Sequence, residues 1–509
     1  MREPMTGLRV ILAHWIGLLA RDVRGNALAI FAGALLPLTA MIGGGVDMGI
    51  GYMAQAKLQN ACDAGVLAAR QSMRGNLFTA ANEAEGQKFF AFNFPDGIYG
   101  IGDANLDIEQ SDTDKAQLFG YATANVPTAI MAVFGYDQIP ISAACDARRD
   151  LGYNDVMLVL DVTGSMNSAP SGGGAKKIVR LRSGAKGLYQ SLAAADSPDT
   201  TRFGMVSYSV TANVGRLLSN NDFVKNQHHW TTRQVCGFSL FGTCIFYTTE
   251  VGNFLVNIRD TKWRKNNDEQ QSLTAFRTSG DGCVEERPSE GYTQDNYQIR
   301  DTVTQNDIDR RASGPDDTSW QFGRYDPDSM VDPGGHSCPS EALPLTNYPN
   351  QGSFVSDINK VTQNVGGNTY HDAGMLWGLR LISSTGFFAA DNPTTRNGVV
   401  VNKHIVFMTD GVQQVNANGY TEDSRDSQMN RVQGSGGLDA IHKARFLATC
   451  NLAKSMGITV WVIVLDTKPN EEVEKCATSG ATYFYSDGND LEQVFSDIGA
   501  GIGRLRLTR

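Results

Sequence analysis

The chain carries no Cys-x-x-Cys pair among its eight cysteines, which removes local support for zinc-ribbon and thioredoxin-like sites. Histidine is scarce, with seven in 509 residues. His228-His229 and His336 have no partner at metal-ligand spacing and read as exposed loop residues. Positive charge is also short: 44 Lys and Arg face 54 Asp and Glu, for a net charge of −10. There is no basic run with interleaved aromatics, so a nucleic-acid platform, which must displace phosphate counterions, is excluded. In residues 223–350 no Ser/His/Asp or paired-carboxylate arrangement stands out, which makes a hydrolase hidden there the weaker alternative, and the chain reads as non-enzymatic.

What is present is globular, with 41% hydrophobic and 19% charged residues over a length that suits two or three domains. An even number of cysteines outside any apolar run fits disulfides formed in an oxidising compartment. Sequence order suggests Cys236–Cys244 and Cys450–Cys476 as local pairs, with Cys283–Cys338 and Cys62–Cys145 as longer ones. Eight cysteines allow about 105 connectivities, and buried free thiols are the bland alternative.

Residues 27–46 (ALAIFAGALLPLTAMIGGGV) contain no charge. At about 1.5 Å per residue they match the hydrocarbon core of a bilayer. Arg2, Arg9, Arg21 and Arg24 precede this segment, while Lys57 is the first base after it. The positive-inside rule then keeps residues 1–26 cytoplasmic and sends the rest outward, as a single-pass protein of the inner membrane. A buried core helix fits the length and the Arg flanks less well, and a cleaved signal peptide would have to tolerate a long preamble without a convincing Ala-x-Ala site. A prepilin leader ending at Gly25 would want Glu where Ile30 stands. Leu8–Ala20 is apolar but too short to span, and is expected along the inner interface.

Past the span, Ile50, Met53, Ala54, Leu58, Ala61, Ala64, Leu67 and Ala68 recur at helical spacing, predicting one long helix to about Met73. Short alternating runs from Asn105 to Ala144 add a small α+β unit, so residues 47–150 read as a stalk. Asp146–Asp150 is a polar joint.

From Asp155 the pattern changes to continuous apolar strands alternating with helices. Strands are expected at 156–160, 203–208, 404–408, 458–465 and 481–485, and helices at 176–195, 369–384, 438–456 and 490–504. This predicts a doubly wound, mostly parallel α/β sheet over 151–509. Residues 223–350, rich in Asp, Asn, Gly, Pro and Ser and holding four cysteines, interrupt it as an ordered, disulfide-bearing insertion.

Open α/β sheets bind ligands at the carboxyl ends of their strands. Asp161, Thr163 and Ser165 follow the first strand, Thr369 precedes a helix, and Asp410 follows HIVFMT. Carboxylate and hydroxyl oxygens without His or Cys describe a hard-cation site for Mg²⁺, with Mn²⁺ or Ca²⁺ as alternatives. Other readings of these segments are weaker. Thr163 lacks the second carboxylate of an Asp-x-Asp-x-Thr phosphatase. Ser183-Gly-Ala-Lys186 lies within a predicted helix and has no Lys-Thr-Gly partner. Gly172-Gly-Gly-Ala-Lys176 lacks phosphate-loop spacing and reads as a turn. His371 is placed to line the cleft, and Asp372 to complement a helix dipole.

Asp161-Val-Thr-Gly-Ser165, with Thr369 and Asp410 in order, resembles the metal-ion-dependent adhesion site (MIDAS) of von Willebrand factor A domains. The resemblance covers roughly 155–225 and 350–505. It implies direct coordination through Thr163 and Ser165, with Asp161 and Asp410 acting through water and Thr369 joining in some ligand states. Thr at 163 departs from the usual Ser but keeps its oxygen. Residues 24–38 and 46–70 resemble tight-adherence (Tad) pilus-assembly proteins of the TadG type, which combine a membrane anchor, a pilin-like stalk and often a C-terminal A-type domain. These likenesses imply a pilus-assembly component that grips a carboxylate on a protein partner through its cation, or alternatively a surface adhesin for host or matrix ligands.

Overall fold

The computed structural model describes residues 26–73, 78–114, 116–148, 153–195, 200–260, 262–265, 269–278, 281–396, 399–467 and 471–503. The stretch Leu8–Ala20 and the joint residues Arg149 and Asp150 lie outside them. The chain forms two compact units, residues 1–150 with 505–509 and residues 151–504.

In the first unit, α1 (Asn26–Ser72) is a single 47-residue helix, and α2 (Ala80–Asn93) packs on its C-terminal half. Strands β1 (Ala104–Gln110), β2 (Gln117–Pro127) and β3 (Gln138–Arg148) form an antiparallel meander in that order. Alternate residues of β2 and β3 are buried, as an antiparallel sheet with one wet face requires. Asp146 to Arg148, read above as part of a joint, extend β3 instead.

The buried face of α1 comprises Ala54, Leu58, Ala61, Cys62, Val66 and Ala69. Met53 and Leu67, expected on that face, point outward at 54% and 37% exposure. Small residues decide the choice. A Cβ on Gly65 would meet the Gly86 carbonyl at 3.1 Å, and one on Gly86 would meet the Gly65 carbonyl at 2.9 Å, so the two helices cross backbone to backbone there. The Cys62–Cys145 disulfide then bolts α1 to β3.

In the second unit, six strands lie in the spatial order β8-β5-β4-β9-β10-β11: β4 (Tyr153–Asp161), β5 (Thr201–Tyr208), β8 (Leu343–Asn347), β9 (Val399–Thr409), β10 (Thr459–Leu465) and β11 (Tyr483–Ser486). Along this path all neighbours pair in parallel except the β8 edge, which is antiparallel to β5, and off it Thr395–Arg396 adds a seventh strand antiparallel to β9. Val156, Leu158 and Leu160 of β4 face one hydrophobic cluster with α3 (Lys177–Ala195), α4 (Gln351–Val361) and α7 (Leu491–Ile502). Met157 and Val159 face a second cluster with α5 (His371–Ile382) and α6 (Leu438–Ser455). Burial on both faces explains the unbroken apolar runs Val156–Leu160 in β4, Ile405–Met408 in β9 and Val460–Leu465 in β10.

The insertion 223–350 is not a separate body. Its last strand, Leu-Pro-Leu-Thr-Asn, supplies the sheet edge β8, too short and too polar to stand out in the sequence. Proline is tolerated there because an edge strand has one unpaired side. The insertion also projects a ribbon of β6 (Asn226–Leu240) and β7 (Thr243–Asn257), stapled by Cys236–Cys244. His228 and His229 lie in β6 rather than in a loop. His229 is fully buried, and burial with Arg431 and Arg324 nearby pushes its imidazole down to about 3. Cys283–Cys338 and Cys450–Cys476 complete the disulfides, so the four pairs are those suggested by sequence order.

Candidate metal centre

The strand order reverses between β4 and β9, which lie side by side with Leu160 opposite Met408. Adjacent strands whose chains leave in opposite directions open a crevice at their carboxyl ends. Asp161 is the last residue of β4, and Asp410 follows the last residue of β9. The topology therefore brings together two carboxylates that are 249 positions apart by their numbering.

A continuous set of hydrogen bonds joins four of the five expected ligands. The Thr163 backbone N–H donates to Asp161 Oδ1 at 2.8 Å, closing the turn after β4. The Thr163 and Ser165 hydroxyls lie 3.0 Å apart, and Ser165 Oγ donates to Asp410 Oδ1 at 2.7 Å. Thr369 joins through its loop. Gly366 N–H reaches the Val162 carbonyl at 2.8 Å, Gly164 N–H reaches the Gly367 carbonyl at 3.1 Å, and the Thr369 carbonyl accepts from Gln414 N–H at 2.9 Å. Asp161, Thr163, Thr369 and Asp410 are buried, whereas Ser165 is exposed and marks the open side of the crevice.

Thr409 and His371 form the floor. Thr409 Oγ1 donates to Asp161 Oδ2 at 2.8 Å, and His371 Nε2 lies 3.0 Å from the same hydroxyl. While Asp161 is ionised and takes the Thr409 proton, Nε2 carries the imidazole hydrogen. Burial holds His371 neutral, its pKa pushed down to about 4. Asp372 does not serve the crevice. It turns away to His442 Nδ1 at 2.7 Å in a fully buried contact.

Lys177 and Asp466 belong to the centre although neither was expected there. The Lys177 ammonium sits 3.1 Å from Asp410 Oδ2 and 3.2 Å from Asp466 Oδ2. Burial works against its charge, but the two carboxylates hold its pKa above the ordinary lysine value. Asp466 follows β10 as Asp410 follows β9, so an acid after each central strand was a legible signal for it. Nothing in its spacing marks Lys177, which is simply the first residue of α3.

The donors suit a hard divalent cation. Two carboxylates and the Thr163 and Ser165 hydroxyls converge, and burial together with the neighbouring Asp410 pushes Asp161 up to about 7. Among the described residues no three His, Cys, Asp or Glu gather as a metal-binding group, so a cation here would depend on hydroxyls as much as on acids. Asp161, Thr163, Ser165, Thr369 and Asp410 would hold it.

Two consequences can be measured. A cation held by Asp161 would compete with its proton, so any Mg²⁺ affinity of the crevice would weaken roughly tenfold between pH 8 and pH 6. A flat calorimetric profile over that range would contradict this. The cation-free protein should show the linked effect. Because Asp161 binds its proton more tightly folded than unfolded, stability falls as pH rises from about 4 to about 7. Second, Lys177→Met removes a positive charge from Asp410 and should tighten Mg²⁺ binding by about tenfold. Weaker binding in that variant would show that Lys177 orders the site rather than opposes the cation.

Residues 25–81 match the family profile of Flp pilus-assembly TadE/G-like proteins (Tad). No curated protein matches the chain. Among solved structures, the pilus adhesin SpaC from Lactobacillus rhamnosus GG aligns at 11% identity and a TM-score of 0.33, over 79% of this chain and 35% of that one. The chain thus spans about a third of that adhesin's length. The PilB minor pilin from Streptococcus sanguinis aligns at 13% identity and 0.30, over 80% and 79% of the two chains. The vWF domain of the type V pili tip protein Mfa5 from Porphyromonas gingivalis aligns at 12% and 0.29, over 70% and 97%. Scores this low leave the functional reading to the chain's own residues.

Proposed function

We propose that this protein is a membrane-anchored component of Tad-type pilus assembly whose second unit is a doubly wound, von Willebrand factor A-type domain binding a protein partner through a divalent cation. The observation that carries the binding half is the Thr163–Ser165–Asp410 hydrogen-bond chain set beside buried Asp161 at the strand-order reversal. The match of residues 25–81 and the apolar first half of α1 support the pilus and membrane half. The N-terminus is read as cytoplasmic and the second unit as lying outside the inner membrane, where its four disulfides would be stable.

The division of labour follows from the geometry. Ser165, at the exposed edge, faces an arriving ligand. Thr409 and His371 fix the Asp161 carboxylate from behind, and Lys177 limits the negative charge that an acidic partner meets. When bound, Mg²⁺ would leave a coordination position open for a partner carboxylate. The reading assigns no catalysis to the centre.

The full chain in detergent, titrated against pilin and assembly subunits with Mg²⁺ and with EDTA, tests this. Binding that disappears on chelation and in Asp161→Ala is expected. Unchanged affinity in both would remove the cation from the mechanism. Cation-dependent binding to matrix ligands, but to no pilus subunit, would favour a surface adhesin instead.

A further inference from the structure

We propose that the first unit does not merely hang from its anchor but seats a charge-free loop, residues 128–136, in the outer face of the lipid bilayer. The proposal rests on reading the first half of α1 as the membrane span. It begins with a contradiction in the sequence: from Gly25 to Ala56 the only formal charge is Asp47. At about 1.5 Å per residue, that stretch is about 48 Å long. This exceeds the hydrocarbon core of about 30 Å and matches a bilayer including both headgroup regions.

The structure shows how Asp47 is accommodated. Its carboxylate is 2% exposed and accepts three backbone N–H bonds, from Ala129 at 3.1 Å, Ile130 at 3.1 Å and Met131 at 2.8 Å. Three such donors replace the water that a carboxylate would otherwise need near lipid. One turn earlier, a Cβ on Gly43 would lie 2.3 Å from Ile130 Cγ2, so the loop rests directly on the helix backbone. Gly43 is inside the apolar span, and the loop therefore sits at the depth of the span's outer end.

The surface around this lock is apolar on both sides. Val133 is 82% exposed and Tyr136 65% on the loop, while Met48, Tyr52 and Met53 are 63%, 74% and 54% exposed on the helix. The loop sequence Thr-Ala-Ile-Met-Ala-Val-Phe-Gly-Tyr carries no charge, and its neck is closed by Thr128 N–H to the Asp137 carbonyl at 3.0 Å. Tyr52 and Tyr136, with apolar rings and polar tips, are the residue type that settles at a headgroup boundary. Continuity with the span selects lipid as the occupant, since no aqueous surface separates the loop from the apolar helix on which it lies.

All eight cysteines are paired, so a cysteine introduced singly for nitroxide labelling is the only free thiol. The full chain in phosphatidylcholine vesicles would be labelled at Met41→Cys, Val133→Cys, Tyr136→Cys and Phe119→Cys. Phe119 lies about 30 Å along the strand from the loop and serves as the aqueous control. Collision rates with dissolved oxygen and with a water-soluble nickel chelate are then compared. Labels at 41, 133 and 136 should favour oxygen at least severalfold, and the label at 119 should favour nickel. Oxygen preference at 41 with nickel preference at 133 and 136 overturns the seated loop and leaves the anchor standing. Nickel preference at 41 overturns the anchor itself, and the proposal with it. Low collision with both reagents at 133 and 136 overturns lipid as the occupant and shows a protein contact.

Discussion

Asp161→Ala is expected, on the proposed cation reading, to lower Mg²⁺ affinity at least a hundredfold while leaving the fold intact. Asp161 Oδ1 and Oδ2 are held by Thr163 N–H and Thr409 Oγ1, so the carboxylate is oriented before any cation arrives. Its alanine variant removes one of two ligand charges and unties the turn that aims Thr163. In cation-free protein the same change should not destabilise. The ionised carboxylate is buried beside Asp410, and its pKa near 7 against 3.8 in the unfolded chain means that ionising it at pH 8 costs about 4 kcal/mol. Asp161→Asn, which keeps the shape and loses the charge, should therefore raise the cation-free melting temperature at pH 8 and erase the rise caused by Mg²⁺. Thermal scans with EDTA and with Mg²⁺ read both effects. A Mg²⁺-dependent rise that survives in Asp161→Asn would place the cation elsewhere.

Arg380→Ala is expected to be the most damaging single change outside the crevice, costing about 3–5 kcal/mol. Arg380 on α5 forms a two-pronged pair with Glu286, each bond 2.8 Å, and donates to the Asp307 carbonyl at 2.9 Å. Both side chains are buried, at 0% and 1% exposure. Arg380, Arg287 and Arg445 hold Glu286 below the ordinary glutamate value despite its burial. Removing Arg380 leaves that carboxylate without its main partner. The cost then comes from desolvated charge rather than lost attraction, so Arg380→Met combined with Glu286→Leu should recover much of the stability. Denaturant unfolding of both variants decides this. A double variant no better than Arg380→Ala would mean that the pair stabilises the insertion in its own right.

The pair also shows why the insertion resisted reading. Glu286 and Arg380 carry no periodicity, and their meaning depends on a contact between segments 94 residues apart. The opposite holds for β4, β9 and β10. Apolar runs that length have few alternatives to a strand buried on both faces, so their existence and approximate ends followed from composition. The edge strand β8 was missed because five residues with alternating exposure and a proline resemble a loop. Met53 and Leu67 were misplaced because hydrophobicity alone ignores where glycine lets a second helix approach.

For the candidate centre, residue chemistry proposed Asp161, Thr163, Ser165 and Asp410 after apolar strands and Thr369 before a helix, and the fold joins the first four in one hydrogen-bonded set. Local pattern also suggested the cysteine pairs and the apolar anchor segment. Only the tertiary structure showed Thr409 and His371 behind Asp161, Lys177 across from Asp410, and Asp47 satisfied by a loop more than eighty residues away. The physical reason is the same in each case. A donor's type is written in its side chain, but its charge state and partners depend on what the folded chain packs against it.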